Sequence, residues 1–476
     1  MRLHFYSNFA SSRLLRHTAS IAALLAGAAA CSDDDTDSNR SSLRPTGGSG
    51  GTTAAGGSGG GNAGTAGSSS GGAAALPMDA GSGDAGTSIQ ADVFRPEERP
   101  STPALLAGLT LPPGFRLNVF ADQLEQARML AVRGQDVYLT RPGQGDVVRL
   151  RDTNADGAAD DRVSVATGLP LVHGIVFRGA DVYLATPTEV FRASVDAAGG
   201  FGTPTPLISD LPDGGQHPYR TLGIGPDDAL YISVGSDCDA CPEPNPEHAT
   251  LLRAAADGSS REVFARGLRN TIGFGWHPET NVLWGMDHGS DLRGGDVPPE
   301  ELNRIEAGND YGWPYCFGQR QLDPIIQDPP QMTKAAYCAG TTPATLETQA
   351  HNAPIGLVFY TASNFPAEYR NDAFVAMHGS WNRLPPTGYK VVRLVFDDAG
   401  QPQRFEDFVT GFLIEGGTAT FGRPAGIGVA PDGTLLFTDD TNGVIYRVSY
   451  DTGADAGAAD AGAVDAGAAD AGGDAN

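Results

Sequence analysis

The sequence predicts an all-β chain, a six-bladed β-propeller set between a disordered N-terminal tether and a disordered C-terminal tail. Three observations carry that reading. Helical periodicity is scarce from Arg95 to Tyr450. In its place one theme recurs: a turn containing Gly or Asp, an alternating apolar strand, then a partner strand ending in Arg-Val or Arg-Leu. The markers of that theme, Tyr138, Tyr183, Tyr231, Trp284, Phe374 and Phe437, mostly fall about 45 to 60 residues apart, the repeat length of four-stranded blades. Six markers give six blades. A pair of β-sandwiches fits the strand content but not the even spacing. The longer gap between Trp284 and Phe374 predicts an insertion near Tyr315–Tyr360, on one face.

Each blade announces itself through turn chemistry. Gly134-Gln135-Asp136 precedes Val137-Tyr138-Leu139, and Gly179-Ala180-Asp181 precedes Val182-Tyr183-Leu184. Pro226-Asp227-Asp228, Pro278-Glu279-Thr280-Asn281, Arg370-Asn371-Asp372 and Pro431-Asp432-Gly433 open the other four. Glycine supplies positive φ in such turns, and Asp or Asn bonds to its own backbone. Partner strands follow at Asp146–Leu150, Tyr389–Leu394 and Val444–Val448.

The ends have a different composition. In residues 1–31, Arg2, Arg13 and Arg16 precede the apolar run Ile21–Ala30, which stops at Cys31. Positive charge ahead of a short apolar run is an export signal. The Leu25-to-Cys31 ending resembles a bacterial lipoprotein signal with Cys31 as the lipidated residue, although Ala28 stands where Leu is usual; an ordinary signal cut nearby is the alternative. Residues 32–94 are mostly Gly, Ser, Ala, Thr and Asp, a flexible tether. Residues 451–476 repeat Asp, Ala and Gly and form the tail, which leaves 95–450 for the propeller. The expectation is a periplasmic, outer-membrane or cell-surface lipoprotein that touches a membrane through its N-terminal lipid. A net charge of −25, part of it in the tails, excludes nucleic acid as a partner.

In an exported chain the remaining cysteines oxidise. The simplest pairing is Cys238 with Cys241 and Cys316 with Cys338, as structural disulfides. A Cys-x-x-Cys redox pair or half of a zinc site is the alternative at 238–241, but a second Cys-x-x-Cys is missing.

Asp152-Thr153-Asn154-Ala155-Asp156-Gly157 has the alternating oxygen ligands and glycine of a calcium loop, with Asp160 or Asp161 completing it. Val163 occupies the position of the usual bidentate glutamate, so a solvated Asx turn competes with a structural calcium site. His217, just ahead of a strand, suits a general base near neutral pH, and His173 occupies an equivalent blade position. Arg269-Asn270 offers a cation and an amide for a carboxylate or a carbonyl. Asp287-His288-Gly289-Ser290-Asp291 is a turn able to present backbone carbonyls to a hard cation. Each is weak alone.

In order, His217, Arg269-Asn270, His288-Gly289-Ser290, Glu300-Glu301-Leu302-Asn303 and Tyr311-Gly312-Trp313-Pro314 resemble the soluble pyrroloquinoline-quinone (PQQ)-dependent aldose dehydrogenases. The likeness runs from about Leu109 to Val448 and looks closest to the glucose/sorbosone dehydrogenase group, six-bladed propellers. His378-Gly379-Ser380-Trp381-Asn382-Arg383 looks typical of the sorbosone branch. The resemblance implies His217 as catalytic base, and Arg269 as the residue that polarises the quinone carbonyl, beside Asn270. It implies calcium on the carbonyls of Gly289 and Ser290, and Arg423 on a cofactor carboxylate. Three positions depart from the family. Gln216 replaces an aspartate before the base, and Ala425 replaces a second arginine. The cofactor lysine is absent from Trp381-Asn382-Arg383, with Arg383 as its substitute.

The function so implied is oxidation of an aldose or sugar aldehyde by hydride transfer to the quinone, with electrons leaving to a separate acceptor. Cys241 is followed by Pro242, so no Cys-x-x-Cys-His haem site is present there. Two alternatives stand beside it. One is a non-catalytic propeller that binds carbohydrate or a surface partner, and the other a calcium-dependent lactonase.

Overall fold

The computed structural model describes residues 93–213 and 215–451. The expected export signal, Cys31, nearly all of the expected tether and the tail after 451 lie outside the described residues.

Six four-stranded antiparallel sheets follow one another along the chain. Blade 1 runs through Leu130–Arg133, Asp136–Arg141, Asp146–Arg151 and Asp161–Ala166. Blade 2 spans Gly174 to Ile208, and blade 3 Leu222 to Arg266. Blade 4 begins with Thr271–Trp276, Leu283–Asp287 and Glu300–Arg304. Its outermost strand, Leu346–Thr348, arrives only after the expected insertion, which holds the Cys316–Phe317/Gln321–Leu322 ribbon and the helix Lys334–Ala339. Blade 5 spans Pro354 to Val409. Blade 6 takes Pro424–Val429, Leu435–Asp439 and Val444–Tyr450 from the C-terminal side and Phe115–Ala121 from the N-terminal side. Leu117 pairs with Val448 in that last ladder, so the two ends of the domain are stitched into one sheet.

The blades close into a ring because each sheet is apolar on both faces. Val137 and Leu150 of blade 1 share a core with Leu436 and Ile445 of blade 6. Tyr138 and Val147 pack with Val182 and Leu184, and Tyr183 packs with Leu230, Ile232 and Leu252. Tyr231 and Leu251 meet Phe274 and Leu283, Trp284 and Met286 meet Val375 and Leu394, and Phe374 and Val391 meet Phe437 and Tyr446. Six inter-blade cores therefore account for six blades.

The centre is tight. Cβ atoms built on Gly273, Gly356 and Gly426 would lie 2.6, 2.5 and 2.4 Å from the carbonyl oxygens of Ile355, Ala425 and Arg128 on the next innermost strand or its approach. Only glycine allows neighbouring blades to approach that closely at the axis. Both expected disulfides form, Cys238–Cys241 and Cys316–Cys338, each with Cα atoms 6.1 Å apart. The bond at 238–241 removes both thiolates from any zinc site there.

Candidate active site

In an antiparallel blade the start of the innermost strand and the end of its neighbour lie at the same edge of the sheet. His217, Arg269-Asn270, Ala353 and Arg423 sit just before innermost strands, whereas His288-Gly289 and Gly379 to Asn382 follow second strands. The propeller consequently gathers them on one face. His217, Arg269, Asn270, His288 and Gly289 line one cavity there. Asp291, Glu300, His351, Ala353 and the run Gly379-Ser380-Trp381-Asn382 complete its wall.

Arg269 is buried with its charge answered on two sides. Its Nη2 lies 2.9 Å from Asp239 Oδ1 and 3.1 Å from Asp291 Oδ2, and Nε donates to the Asp239 carbonyl at 2.9 Å. Burial alone would lower its pKa, but the charges of Asp291 and Asp239 outweigh that and raise it. Its backbone is held as firmly, by the Asp287 carboxylate. Burial pushes Asp287 up to about 6 despite the donors around it.

His217 is set by blade 3. Its Nδ1 is 3.0 Å from the Ser236 carbonyl oxygen and 2.9 Å from Ser236 Oγ. A carbonyl only accepts, and Oγ already donates to the Cys238 carbonyl at 2.7 Å. Nδ1 therefore carries the hydrogen, and Nε2 is the basic nitrogen of the neutral ring. His173, the second histidine considered, is not in the cavity wall. It stacks on Tyr219 with centroids 4.8 Å apart and turns Nδ1 to the Arg220 carbonyl.

Around the 288–290 turn lie two buried carboxyls from adjacent strand positions. Glu300 accepts from the backbone N–H of Gly289 and of Ala353, each at 3.0 Å, and burial pushes it up to about 8. Glu301 is pushed up to about 7 by burial and the nearby charge of Asp287. Ser290 turns away from the cavity, its Oγ accepting from Trp313 Nε1 at 3.1 Å.

Other expected residues fall elsewhere. Arg383 is not among the cavity-lining residues; it bonds Asp296 Oδ1 at 2.8 Å and the Gly295 carbonyl. Arg423 stands behind the wall, Nη2 3.5 Å from the Gly379 carbonyl. Ala425 is buried and packs with Ile272 and Ile355, an apolar cluster in place of a second guanidinium. In the 152–160 loop the acids accept the loop's own amides. Asp152 accepts from Asp156 N and Gly157 N, Asp156 from Ala158 N, and Asp160 from Thr153. Asn154 Oδ1 likewise accepts from Asp156 N, so the segment is folded as an Asx turn whose carboxylates keep further lone pairs.

Ser236, Asp239 and His351 were missed from the sequence, as was the side-chain role of Asp291. Asp239 lies inside Cys238-Asp239-Ala240-Cys241, an acid between two cysteines whose spacing is itself the stronger signal. Glu300-Glu301 did carry a signal: two adjacent acids in a strand cannot both face solvent.

A sequence profile of the TrAA12-like family matches residues 109–451. An uncharacterized protein of Borreliella burgdorferi is 39% identical over 225 residues, 47% of this chain and 57% of that protein. The aldose sugar dehydrogenase YliI of Escherichia coli is 28% identical over 198 residues, 40% of this chain and 45% of that one. The chain thus spans about half the length of the curated relatives it matches. Among solved structures, the calcium structure of a Trichoderma reesei carbohydrate-active enzyme of family AA12 superimposes with a TM-score of 0.63 at 19% identity, over 72% of this chain and 97% of that one. The holo PQQ domain of pyranose dehydrogenase from Coprinopsis cinerea gives 0.61 at 20% identity, over 74% and 98%. At these identities the likeness is one of fold.

Proposed function

The chain belongs to the TrAA12-like family, and from that premise we propose that it is an exported oxidoreductase. Its substrate is an aldose or sugar aldehyde, its cofactor PQQ, with calcium alongside. The observation that carries the reading is the meeting of His217, Arg269, Asn270 and Gly289, from separate loops, on one cavity. The names of the E. coli and C. cinerea relatives support the reaction class.

The residues present fit an anionic quinone. Arg423 Nε and Arg383 Nε are buried with no hydrogen-bond partner, so two donors near the cavity remain unsatisfied. Arg269, Asn270 and Arg423 would hold the cofactor, with Arg383 at the rim. Glu300, Glu301 and Asp287 crowd buried acid around Gly289 and Ser290, an environment suited to a dication on that turn. When bound, the quinone supplies a two-electron acceptor for hydride. His217 Nε2 takes the proton from the substrate hydroxyl, and the Ser236 carbonyl facing Nδ1 steadies the imidazolium that results. Arg269, buried in the wall, contributes fixed positive potential. The signal ending at Cys31 supports export and a lipid anchor, and an acceptor outside this chain removes the electrons.

The experiment uses purified protein with calcium and PQQ, aldoses and sorbosone as substrates and a dye acceptor. Quinone-dependent dye reduction, abolished in His217→Ala and reduced in Arg269→Ala, is the expected outcome. A folded protein that titrates no quinone would overturn it. That result would favour a carbohydrate-binding propeller, the reading suggested by the carboxylates that already answer Arg269.

A further inference from the structure

We infer that the short loop closed by the Cys238–Cys241 disulfide is the positioning element of the site, with Ser236 setting the base and Asp239 setting the arginine. The inference deepens the dehydrogenase reading and rests on it. The loop leaves the second strand of blade 3 and lies between the two groups it serves. On one side, Ser236 presents its carbonyl and Oγ to His217 Nδ1 at 3.0 and 2.9 Å. Oγ is itself turned by donating to the Cys238 carbonyl at 2.7 Å, so the first half-cystine fixes the hydroxyl. On the other side, Asp239 accepts from Arg269 through both its carbonyl and its carboxylate, at 2.9 Å each. Asp239 Oδ1 also accepts the backbone N–H of Asp291 at 2.7 Å, and Oδ2 lies 3.3 Å from Arg293 Nη1. One aspartate thus ties blade 3 to the 288–293 turn of blade 4.

The loop is anchored at its own base. Ser236 N donates to the Arg269 carbonyl at 2.8 Å, and Gln216 N donates to the Asp237 carbonyl at 2.9 Å. Asp237 N donates to Glu243 Oε1 at 3.0 Å, whose other oxygen meets His248 Nδ1 at 3.2 Å. The residue ahead of His217, Gln216, offers no carboxylate to orient the ring. The Ser236 carbonyl and hydroxyl take that orienting place from the opposite side. A disulfide across three residues closes too short a loop to add much to global stability. Its use is local, as a brace for Ser236 and Asp239.

The first test needs no turnover: ¹⁵N NMR of the His217 imidazole in the disulfide-intact protein. The Nδ1–H tautomer is expected; a predominant Nε2–H tautomer overturns the assignment, whether or not quinone binds. The second separates the two arms. Ser236→Ala, which removes one of the two acceptors facing Nδ1 and keeps the carbonyl, is expected to lower kcat about tenfold, raise the minor Nε2–H fraction while Nδ1–H stays predominant, and leave quinone affinity unchanged. Asp239→Ala is expected to weaken quinone binding about tenfold by titration while the His217 tautomer stays as it was. The double variant Cys238→Ser/Cys241→Ser, folded by circular dichroism, is expected to show part of both effects. Wild-type values for tautomer and quinone affinity in that double variant overturn the brace. Failure of wild-type protein to bind quinone, with the tautomer as expected, defeats the dehydrogenase reading and leaves the Ser236–His217 arm standing.

Discussion

Asp287 accepts the backbone N–H of Arg269 at 2.9 Å, and its other oxygen accepts that of Asn270, also at 2.9 Å. The Thr271 hydroxyl adds a third donor at 2.7 Å. All three fall where the innermost strand of blade 4 begins, and the ladder beside them slips between Thr271 and Gly273. A strand cannot satisfy those amides across a bulge, so a buried carboxylate does it instead. Removing it strands buried donors at a cost of about 1–3 kcal/mol each. Asp287→Ala should therefore lower the denaturation midpoint and weaken quinone binding together, because Arg269 and Asn270 lose their backbone hold. An unchanged quinone titration in a destabilised variant would show that the side chains keep their places without it.

Gly235 makes a sharper case. A Cβ there would lie 2.5 Å from His217 Cβ and 2.8 Å from Asn270 Oδ1. The position separates the His217 side chain from the Asn270 amide by the width of a glycine. Gly235→Ala should cut kcat at least tenfold by displacing one of them, with the six sheets intact by circular dichroism. Near-wild-type turnover would mean that the loop shifts without disturbing either group.

The propeller was legible in the sequence because its signals are local. Turns such as Gly179-Ala180-Asp181 and the alternation of Val182-Tyr183-Leu184 lie within a few residues of one another. The pairing of Phe115–Ala121 with Val444–Tyr450 was not, since ring closure depends on how six blades add up. The site divides in the same way. His217 and Arg269-Asn270 stand at strand starts and could be picked out. Asp239 and Asp291 could not, because their meaning arises only when blades 3 and 4 are side by side around Arg269. In the 152–160 loop the residue types suit calcium and the carboxylates also accept the loop's own amides, so the same local chemistry serves an Asx turn and a cation loop alike.

That loop supplies a prediction of no effect. With Asp152 and Asp160 already accepting N–H donors, Asp152→Asn and Asp156→Asn should leave calcium affinity unchanged by titration calorimetry. A calcium ion on the Gly289–Ser290 turn would go unaffected by either change. Loss of one equivalent of bound calcium in Asp156→Asn would establish the loop as a metal site.

His277 sets a pH dependence away from the cavity. It is buried against Phe359 and Phe396, with ring centroids 5.4 and 5.2 Å away. Its Nδ1 accepts the backbone N–H of Glu279 and of Thr280, each at 3.3 Å, so that nitrogen holds a lone pair. Burial lowers its pKa below the ordinary 6.5. The folded protein therefore keeps the ring neutral where the unfolded chain has begun to take up a proton. Stability from this group is complete above about pH 6.5 and declines as pH falls below it, by at most about 1.4 kcal/mol per pH unit, until the folded form also protonates. In His277→Asn, whose Oδ1 offers a similar acceptor and does not titrate, the denaturation midpoint should fall less between pH 7.5 and 5 than in the wild type. Equal slopes in the two proteins would assign the acid sensitivity to other groups.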